Sequence, residues 1–458
     1  MKVSKFNSFV PYKGKFVAFN SLTLGFIILD PFLYELYTAG NRDNEINKLK
    51  QVHPAFFNTL SDKGFIVPDE KDEDLSFRAL RDSIDMDDSN YTLIINPTMN
   101  CNFKCWYCYE SHIKGSKLND ETQEKIKRHI SHVFKNQKGL KNFHLSWFGG
   151  EPLLYFEQAI VPISDYATEI FKNSDVSFSM SFTTNGYLIS EKVIKKLKDY
   201  NVTTLQITLD GSLEQHNKVR YVNYNKGSYK KIVENIKALT TSGLNVHARI
   251  NYTEETLESI NNVIDDFEDL DYETRTNLTF SFHNVWQEGD PKIDKVESII
   301  TAFRTRGFIT SSQFSNVDTV RQSCYADKKY QATINYNGEI HKCTARDFTS
   351  DRTEGILEEN GSISWNDKYY KRLNSKFKNN PCNSCRIQPI CNGGCSQVAL
   401  ENIDNDYCVW ESQGVSKDQI ILSRFKHTIE SKILQEALNE KKAIDIQEET
   451  IKKASATA

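Results

Sequence analysis

The sequence lacks any long apolar run and carries no excess of positive charge. No stretch approaches the about 20 apolar residues that a membrane-spanning helix needs, and the first residues lack the apolar segment of a signal peptide. The 57 Lys and Arg residues are dispersed among 61 Asp and Glu residues, which gives a net charge of −4. We therefore expect a cytoplasmic protein that has neither a membrane nor nucleic acid as a partner.

The most informative residues are ten cysteines, in a chain of 458 residues. In a reducing cytoplasm metal ligation is a better expectation than disulfide bonds. Three of these thiols, Cys101, Cys105 and Cys108, fall in one loop after the apolar run at 92–97. Cysteine thiolates hold iron-sulfur clusters, and a 4Fe-4S cube uses four of them. A loop with three thiolates would leave one iron open to a small molecule.

This spacing, three residues and then two, resembles the cluster loop of the radical S-adenosylmethionine (SAM) enzymes. The resemblance implies that SAM chelates the open iron through its amino and carboxylate groups. It also implies that the reduced cluster cleaves SAM to give a 5′-deoxyadenosyl radical, which abstracts a substrate hydrogen. A zinc site or buried free cysteines are the alternatives, but zinc knuckles favour two pairs of ligands over a triplet.

Strand-like segments alternate with amphipathic helices beyond residue 91, which predicts an α/β fold with a parallel sheet. The predicted strands are residues 92–96, 143–148, 178–183, 205–209, 246–251 and 278–282, and the clearest helices are residues 120–134, 190–200, 229–240 and 254–267. Six such units are similar to the partial (β/α)6 barrel of the radical SAM family, whose site forms at the carboxyl ends of the strands. We expect this barrel over residues 91–310.

A glycine pair follows the second predicted strand and precedes Glu151 and a proline. Gly149, Gly150 and Glu151 resemble the family's Gly-Gly-Glu-Pro motif, whose backbone meets the amino group of SAM. Glycine allows that approach because it has no Cβ. Asn185 ends the third strand, where the family contacts the ribose and carboxylate of SAM, although Asn-Gly is also an ordinary turn dipeptide.

Thr208, His216 and Arg220 follow the fourth strand and resemble a Ser, His and Arg pattern of the family. The resemblance implies that Arg220 binds the cofactor carboxylate, with Arg249 on the fifth strand as a second candidate. It also implies that Tyr107 stacks on adenine. His216 is either a proton-transfer group or a structural histidine, and no catalytic base stands out.

The other seven cysteines form a second pattern towards the end of the chain. They are Cys324, Cys343, Cys382, Cys385, Cys391, Cys395 and Cys408. Their spacing resembles the SPASM domain, which carries two auxiliary 4Fe-4S clusters, and we expect this domain over residues 311–410. A zinc ribbon is the alternative for residues 382–395 alone.

The SPASM resemblance implies a ligand set for each auxiliary cluster. The outer cluster would take Cys382, Cys385, Cys391 and Cys408, and the inner cluster would take Cys324, Cys343 and Cys395. The inner cluster has only three thiolates. Its fourth site is either open to a substrate thiolate, which is the sharper hypothesis, or filled by Asp327 or His341.

Residues 1–70 read as strands, three short helices and a returning strand, the order of a winged helix-turn-helix. The helices carry too few basic residues to follow a DNA backbone. In front of a radical SAM domain, the segment resembles the element that recognises the leader of a precursor peptide by adding it as a strand to a sheet edge. A purely structural N-terminal cap is the alternative. Residues 71–90 read as an acidic linker, and residues 411–458 as a closing helix with a frayed tail.

Together these features predict a radical SAM peptide maturase with three 4Fe-4S clusters. It would install an oxidative cross-link, thioether or carbon to carbon, in a ribosomally made precursor peptide, with flavodoxin or ferredoxin as electron donor. One alternative is an anaerobic sulfatase maturase, which forms formylglycine, although such maturases begin closer to the cluster loop. The other is a non-enzymatic regulator that binds metal or nucleic acid.

Overall fold

The computed structural model describes residues 1–223, 226–288, 292–312, 321, 323–430 and 432. The chain builds a large mixed α/β assembly around one eleven-stranded sheet, with a small three-stranded sheet at the N-terminus. Of the helices within these ranges, none combines the length and the apolar character needed to cross a bilayer.

The N-terminal segment forms an antiparallel sheet and three short helices. Its elements are β1 (Lys2–Val3), β2 (Asn7–Tyr12), β3 (Lys15–Asn20), β4 (Gly25–Leu29), α1 (Pro31–Arg42), α2 (Leu49–Val52), α3 (Pro54–Asp62) and β5 (Ile66–Val67). Strands β2, β3 and β4 form the small sheet in that order, and β5 returns to pair with β1. Asp30 caps α1 by accepting a hydrogen bond from Leu33 N, and a proline occupies the first helical position. The order of elements is therefore the one predicted for residues 1–70.

Residues 71–90 contain a 13-residue helix, α4 (Glu73–Asp85), so the prediction of an acidic linker is wrong for most of this segment. Phe77, Leu80 and Ile84 recur at helical spacing and form an apolar stripe, which the acidic composition of the segment obscured. This stripe packs with Phe6 from the N-terminal segment and with Phe377 from the cysteine-rich region. Helix α4 therefore packs between the N-terminal segment and the cysteine-rich region.

All six predicted strands lie side by side in the central sheet and run parallel, as predicted. The strands of this region are β6 (Asn90–Ile95), β7 (Asn142–Trp147), β8 (Ser177–Thr184), β9 (Val202–Leu209), β10 (Tyr221–Asn223), β11 (Lys226–Gly227), β12 (Val246–Tyr252), β13 (Leu278–Asn284) and β14 (Ile309–Ser312). Strand β14 adds a seventh parallel strand beside β13, whereas β10 and β11 form a separate hairpin. The sheet is compatible with a partial barrel.

Helices cover one face of this sheet. They are α5 (Asp120–Asn136), α6 (Val161–Phe171), α7 (Glu191–Asp199), α8 (Leu213–Val219), α9 (Tyr229–Thr241), α10 (Glu254–Leu257), α11 (Asn262–Asp265), α12 (Tyr272–Arg275) and α13 (Ile293–Thr305). The helix predicted over residues 254–267 is broken into α10 and α11, although its apolar residues stay buried. Strand residues such as Leu145, Leu205 and Phe280 are buried in the main core. Ser146 and Gln206, which follow Leu145 and Leu205 in the sequence, point to the opposite face of the sheet.

The cysteine-rich region continues the same sheet. Its elements are β15 (Gln331–Ile334), β16 (Glu339–His341), β17 (Gly355–Leu357), β18 (Ile363–Trp365), α14 (Asp367–Leu373), α15 (Asn380–Asn383), α16 (Gln388–Cys391), α17 (Ser396–Glu401) and α18 (Lys417–Phe425). Strand β15 pairs in parallel with β6, and β16 to β18 follow as antiparallel strands. The predicted closing helix is α18, extended by a π-helical turn over Lys426–Glu430. The rest of that prediction, at 433–438, and the predicted frayed tail at 440–458 lie outside the described residues.

Candidate functional site

A cavity opens at the carboxyl ends of the parallel strands, where the loop after β6 meets the ends of β7, β8, β9, β12 and β13. Its lining contains the three loop cysteines and seven of the eight predicted SAM contacts. These residues are Cys101, Cys105, Cys108, Tyr107, Gly149, Gly150, Asn185, Thr208, Arg220 and Arg249. Residues that are far apart in sequence therefore meet because parallel strands place all their carboxyl ends at one edge.

The turn at Gly149 and Gly150 lies directly on the cysteine loop. Both glycines have positive φ, 78° and 48°, and a Cβ on Gly150 would lie 2.3 Å from the backbone oxygen of Asn100. The same oxygen accepts a hydrogen bond from Glu151 N at 2.9 Å. No residue with a side chain fits here without moving the loop.

Glu151, the eighth predicted contact, is 0% exposed and does not line the cavity. Its carboxylate accepts hydrogen bonds from Leu153 N (3.0 Å), Thr184 Oγ1 (2.7 Å) and Asn185 N (2.7 Å). Burial raises the pKa of Glu151, and the hydrogen bonds from Asn185 and Thr184 oppose that rise. Its side chain therefore fastens the glycine turn to the end of β8.

A polar network fills the other side of the cavity. The Tyr107 hydroxyl donates to Asp210 (2.6 Å to Oδ2) and accepts from Arg220 Nη1 (2.9 Å) and Asn251 Nδ2 (3.2 Å). The guanidinium of Arg220 also lies 5.7 Å from the ring centroid of Phe103. Arg220 is 8% exposed, and its Nε has no hydrogen-bond partner among the described residues. A buried N–H of this kind at a cavity fits an anionic ligand.

His216 is a structural histidine in this geometry. Its ring is fully buried, Nδ1 accepts from Asp210 N (3.2 Å), and Nε2 bonds the hydroxyl of Ser228 (2.9 Å). That hydroxyl donates in turn to the backbone oxygen of Arg220 (2.8 Å). Burial lowers the pKa of His216 well below its usual value, so the ring stays neutral and holds Asp210 and Arg220 in place.

Asn185 holds the edge of the cavity through three contacts. Its Nδ2 donates to Asn102 Oδ1 in the cysteine loop (2.7 Å), its Oδ1 accepts from Tyr187 N (3.0 Å), and its own N–H is bound by Glu151. Arg249 donates from Nε to Asn251 Oδ1 (2.9 Å) and faces the cavity from β12.

Two acidic residues of the site, Asp210 and Glu110, were not predicted from the sequence as functional candidates. Asp210 lies two residues after Thr208, but its contact with Tyr107 could not be inferred from spacing. Glu110 lines the cavity and accepts a hydrogen bond from Gly150 N at 2.6 Å. Desolvation raises the pKa of Glu110 to about 7. Its position two residues after Cys108 was the available signal.

The remaining seven cysteines lie in the cysteine-rich region, where four of them share one cavity. This small cavity is lined by the four cysteines that we call the outer group, namely Cys382, Cys385, Cys391 and Cys408. Cys324, Cys343 and Cys395, the inner group, lie close enough for their charges to influence one another. Tyr109 donates to the backbone oxygen of Thr344 (2.7 Å), and Ser111 N donates to Asp347 (2.8 Å). The inner group is therefore tied directly to the loop that carries Cys108.

Zinc ions and iron-sulfur clusters need different arrangements of thiols. In the described part of the chain, no group of three or more His, Cys, Asp or Glu side chains could hold a metal ion. Zinc needs four ligands at about 2.3 Å from one centre, whereas in a 4Fe-4S cube each thiolate binds a different iron. All ten cysteines are free thiols, and burial raises the pKa of Cys101 to about 12. Binding of iron would therefore displace the thiol protons.

Comparison with known proteins agrees with this site. A family model described as the radical SAM superfamily matches residues 95–267. The radical SAM cyclopropyl synthase TigE of Paramaledivibacter caminithermalis is 26% identical over 46% of this chain and 46% of its own length. The cysteine-type anaerobic sulfatase-maturating enzyme of Clostridium novyi is 22% identical over 75% of this chain and 95% of its own.

The solved structure of Streptococcus suis SuiB bound to precursor peptide SuiA has a similar fold. Its TM-score is 0.50 at 17% identity, and the match covers 89% of this chain and 99% of that chain. This chain spans 48% and 46% of the length of the first two curated relatives that it matches. The matched domain contains the cysteine loop, the glycine turn and Arg220. Residues 95–267 of the chain thus form a domain that matches the radical SAM superfamily model.

Proposed function

We propose that the protein is a radical SAM peptide maturase that installs an oxidative cross-link, thioether or carbon to carbon, in a precursor peptide. The observation that carries this proposal is the contact between the N-terminal sheet and the outer cysteine group. The proposal also uses the structure of SuiB, which is bound to its precursor peptide SuiA.

The N-terminal sheet and the outer group share one apolar cluster. Val10 and Phe19 from β2 and β3 pack with Ile387 and Ile390, which lie between Cys385 and Cys391 in the sequence. A direct hydrogen bond, from Ser21 Oγ to the backbone oxygen of Arg386 (2.7 Å), adds to this contact. A peptide held by the N-terminal sheet would therefore sit beside the cysteine-rich region.

Strand β4 is the edge of that sheet best suited to receive a leader peptide. Among the described residues it pairs only with β3, so its other side can accept main-chain hydrogen bonds from an added strand. Ile28 on this strand is 52% exposed, and Phe32, which begins the adjoining helix, is 67% exposed. Exposed apolar side chains at a free sheet edge are typical of a peptide-binding surface.

We assign the cavity at Cys101, Cys105 and Cys108 to the cluster and SAM. When bound, these cofactors supply a 5′-deoxyadenosyl radical that removes a hydrogen atom from the substrate. Arg220 and Arg249 would bind the cofactor carboxylate, while Gly149 and Gly150 allow the backbone to approach its amino group.

Several residues would orient SAM without acting on the substrate. Thr208 and Asn185 add polar contacts at the rim of the cavity, and Glu151 holds the glycine turn rigid. Because the Tyr107 hydroxyl is engaged by Asp210 and Arg220, the ring is fixed where it can stack on adenine.

The inner and outer groups would each hold an auxiliary 4Fe-4S cluster, which makes three clusters in all. A cross-link removes two hydrogens from the peptide, one as an atom and one as a proton, and one electron must also leave. The auxiliary clusters are the acceptors we propose for that electron. We propose flavodoxin or ferredoxin as the electron donor to the first cluster, and the cytoplasm as the place of the reaction.

The test is to express the protein anaerobically with each short peptide encoded beside its gene and to measure peptide masses. We expect a loss of two hydrogens per cross-link, absent in the Cys101→Ala/Cys105→Ala/Cys108→Ala variant. Ile28→Asp should weaken peptide binding, measured by fluorescence anisotropy, whereas Ile356→Asp should not, although Ile356 on β17 is exposed to a similar extent (59% against 52%). Unmodified peptide in every pairing, although SAM is cleaved, would contradict the maturase proposal.

A sulfatase maturase is the second candidate, favoured by the match to the Clostridium novyi enzyme over 95% of that enzyme's length. That reaction would leave an aldehyde on a Cys or Ser side chain. A hydrazide reagent separates the two functions, because it labels an aldehyde and leaves a cross-link unchanged.

A further inference from the structure

We propose that the carboxylate of Asp327 is the fourth ligand of the cluster held by Cys324, Cys343 and Cys395. This inference rests on the proposed auxiliary clusters. It closes the inner group, so that a substrate thiolate has no iron to bind there.

The first argument is the turn that carries both residues. Cys324 caps a 3-10 turn over Tyr325–Asp327, and Asp327 N donates to the Cys324 oxygen at 2.9 Å. Side chains three positions apart in a 3-10 turn lie above one another. Asp327 is therefore folded back onto the same side of the turn as the Cys324 thiol.

The second argument is an oxygen without a partner. Asp327 is 8% exposed, and its Oδ1 is buried with no hydrogen-bond partner among the described residues. A buried carboxylate oxygen in this state is costly unless something binds it. Its other oxygen, Oδ2, accepts a hydrogen bond from Lys376, whose side chain is 10% exposed, so Lys376 leaves Oδ1 available.

The surrounding charges agree with this placement. The neighbouring cation Lys342 donates to the backbone oxygens of Lys328 and Gln331, at 2.5 and 2.8 Å. It therefore does not occupy Oδ1 of Asp327.

Two other groups are less suited to this role. His341 lies on β16, outside the turn of Cys324, and its ring packs edge-on against Phe348 with centroids 5.2 Å apart. Asp85 also has a buried oxygen without a partner in the described structure. Burial raises the pKa of the Asp85 carboxyl, and the side chains that also shift it include Ser323, Asp327 and Lys376 but no thiol. Asp85 is therefore the matched control.

The experiment uses the full chain with Cys101→Ala/Cys105→Ala/Cys108→Ala, so that only auxiliary clusters contribute to the spectra. The protein is labelled with 13C-carboxyl aspartate, reconstituted with iron and sulfide, reduced, and studied by electron-nuclear double resonance. We expect a 13C coupling that persists in Asp85→Asn and disappears in Asp327→Ala. We also expect added 2-mercaptoethanol to change the electron paramagnetic resonance spectrum of Asp327→Ala but not that of the parent.

Asp327→Cys keeps the test informative if Asp327→Ala loses its cluster. This variant should retain the iron content of the parent and lower the reduction potential of one cluster, because thiolate donates more electron density than carboxylate. A parent that shows no 13C coupling and binds the added thiol would overturn the inference while leaving the auxiliary clusters intact. A parent without iron would overturn the proposed clusters themselves.

Discussion

Glu151→Gln removes one buried negative charge and changes almost nothing in shape. In the wild type, the carboxylate accepts three hydrogen bonds, two of them from backbone N–H groups. The amide of Gln keeps one oxygen and presents an NH2 group to at least one of these donors. A hydrogen bond to a charged partner contributes about 1.5–3 kcal/mol, and the facing donors are left unsatisfied. We expect the variant to lose about 2–3 kcal/mol of unfolding free energy.

The same substitution should weaken SAM binding, because the carboxylate fastens the glycine turn to β8. If about 1.4 kcal/mol of the cost reaches the cavity, the Kd for SAM rises about tenfold. Urea denaturation and equilibrium dialysis of the reconstituted protein under anaerobic conditions measure the two effects. The control is Glu157→Gln, which removes a half-exposed carboxylate paired with Lys192 at 2.9 Å and should change stability by less than about 1 kcal/mol. Equal behaviour of the two variants would refute the positioning role of Glu151.

Three further results follow from the geometry. Gly150→Ala should abolish SAM cleavage because its Cβ would lie 2.3 Å from Asn100 O. The control is Gly115→Ala, also at positive φ but with nothing within 4 Å, which should lower the free energy of unfolding by only about 1–2 kcal/mol, the strain of a left-handed residue. Similar rates of SAM cleavage in both variants would disprove the clash. Desolvation lowers the pKa of His129 to about 4, so between pH 6.5 and 5 the unfolded chain binds a proton that the folded chain does not. The free energy of unfolding should therefore fall by about 1.6 kcal/mol over this range, and His129→Gln should flatten that pH dependence in urea titrations. Phe19→Ala should lower the free energy of unfolding by about 3–5 kcal/mol. It should also expose the contact between the N-terminal sheet and the outer group to protease, and an unchanged rate of proteolysis would argue against that contact.

The cysteines recur at short, characteristic spacings, and their assignment as cluster ligands stays a prediction from those spacings. The parallel strands could be predicted from the sequence, since an alternation of apolar strands and amphipathic helices has few other solutions. The ends of such strands converge, which explains why Gly150, Asn185 and Arg220 meet although up to 70 positions separate them.

The missed features depend on contacts that no local pattern encodes. Helix α4 was taken for a linker because its charges outnumber its apolar residues, and Phe77 finds its partners only at Phe6 and Phe377. The cluster that joins Phe19 to Ile387 spans most of the chain. Glu110 and Asp210 are single carboxylates whose importance comes from what touches them, and spacing cannot reveal it.

The most direct measurement counts iron and SAM cleavage in the anaerobically reconstituted protein and in Cys101→Ala/Cys105→Ala/Cys108→Ala. Three cubane clusters predict about twelve irons per chain in the wild type and about eight in the variant. SAM cleavage under strong reductant should occur only in the wild type. Bound zinc in place of iron, or a wild type that leaves SAM intact, would contradict the radical mechanism.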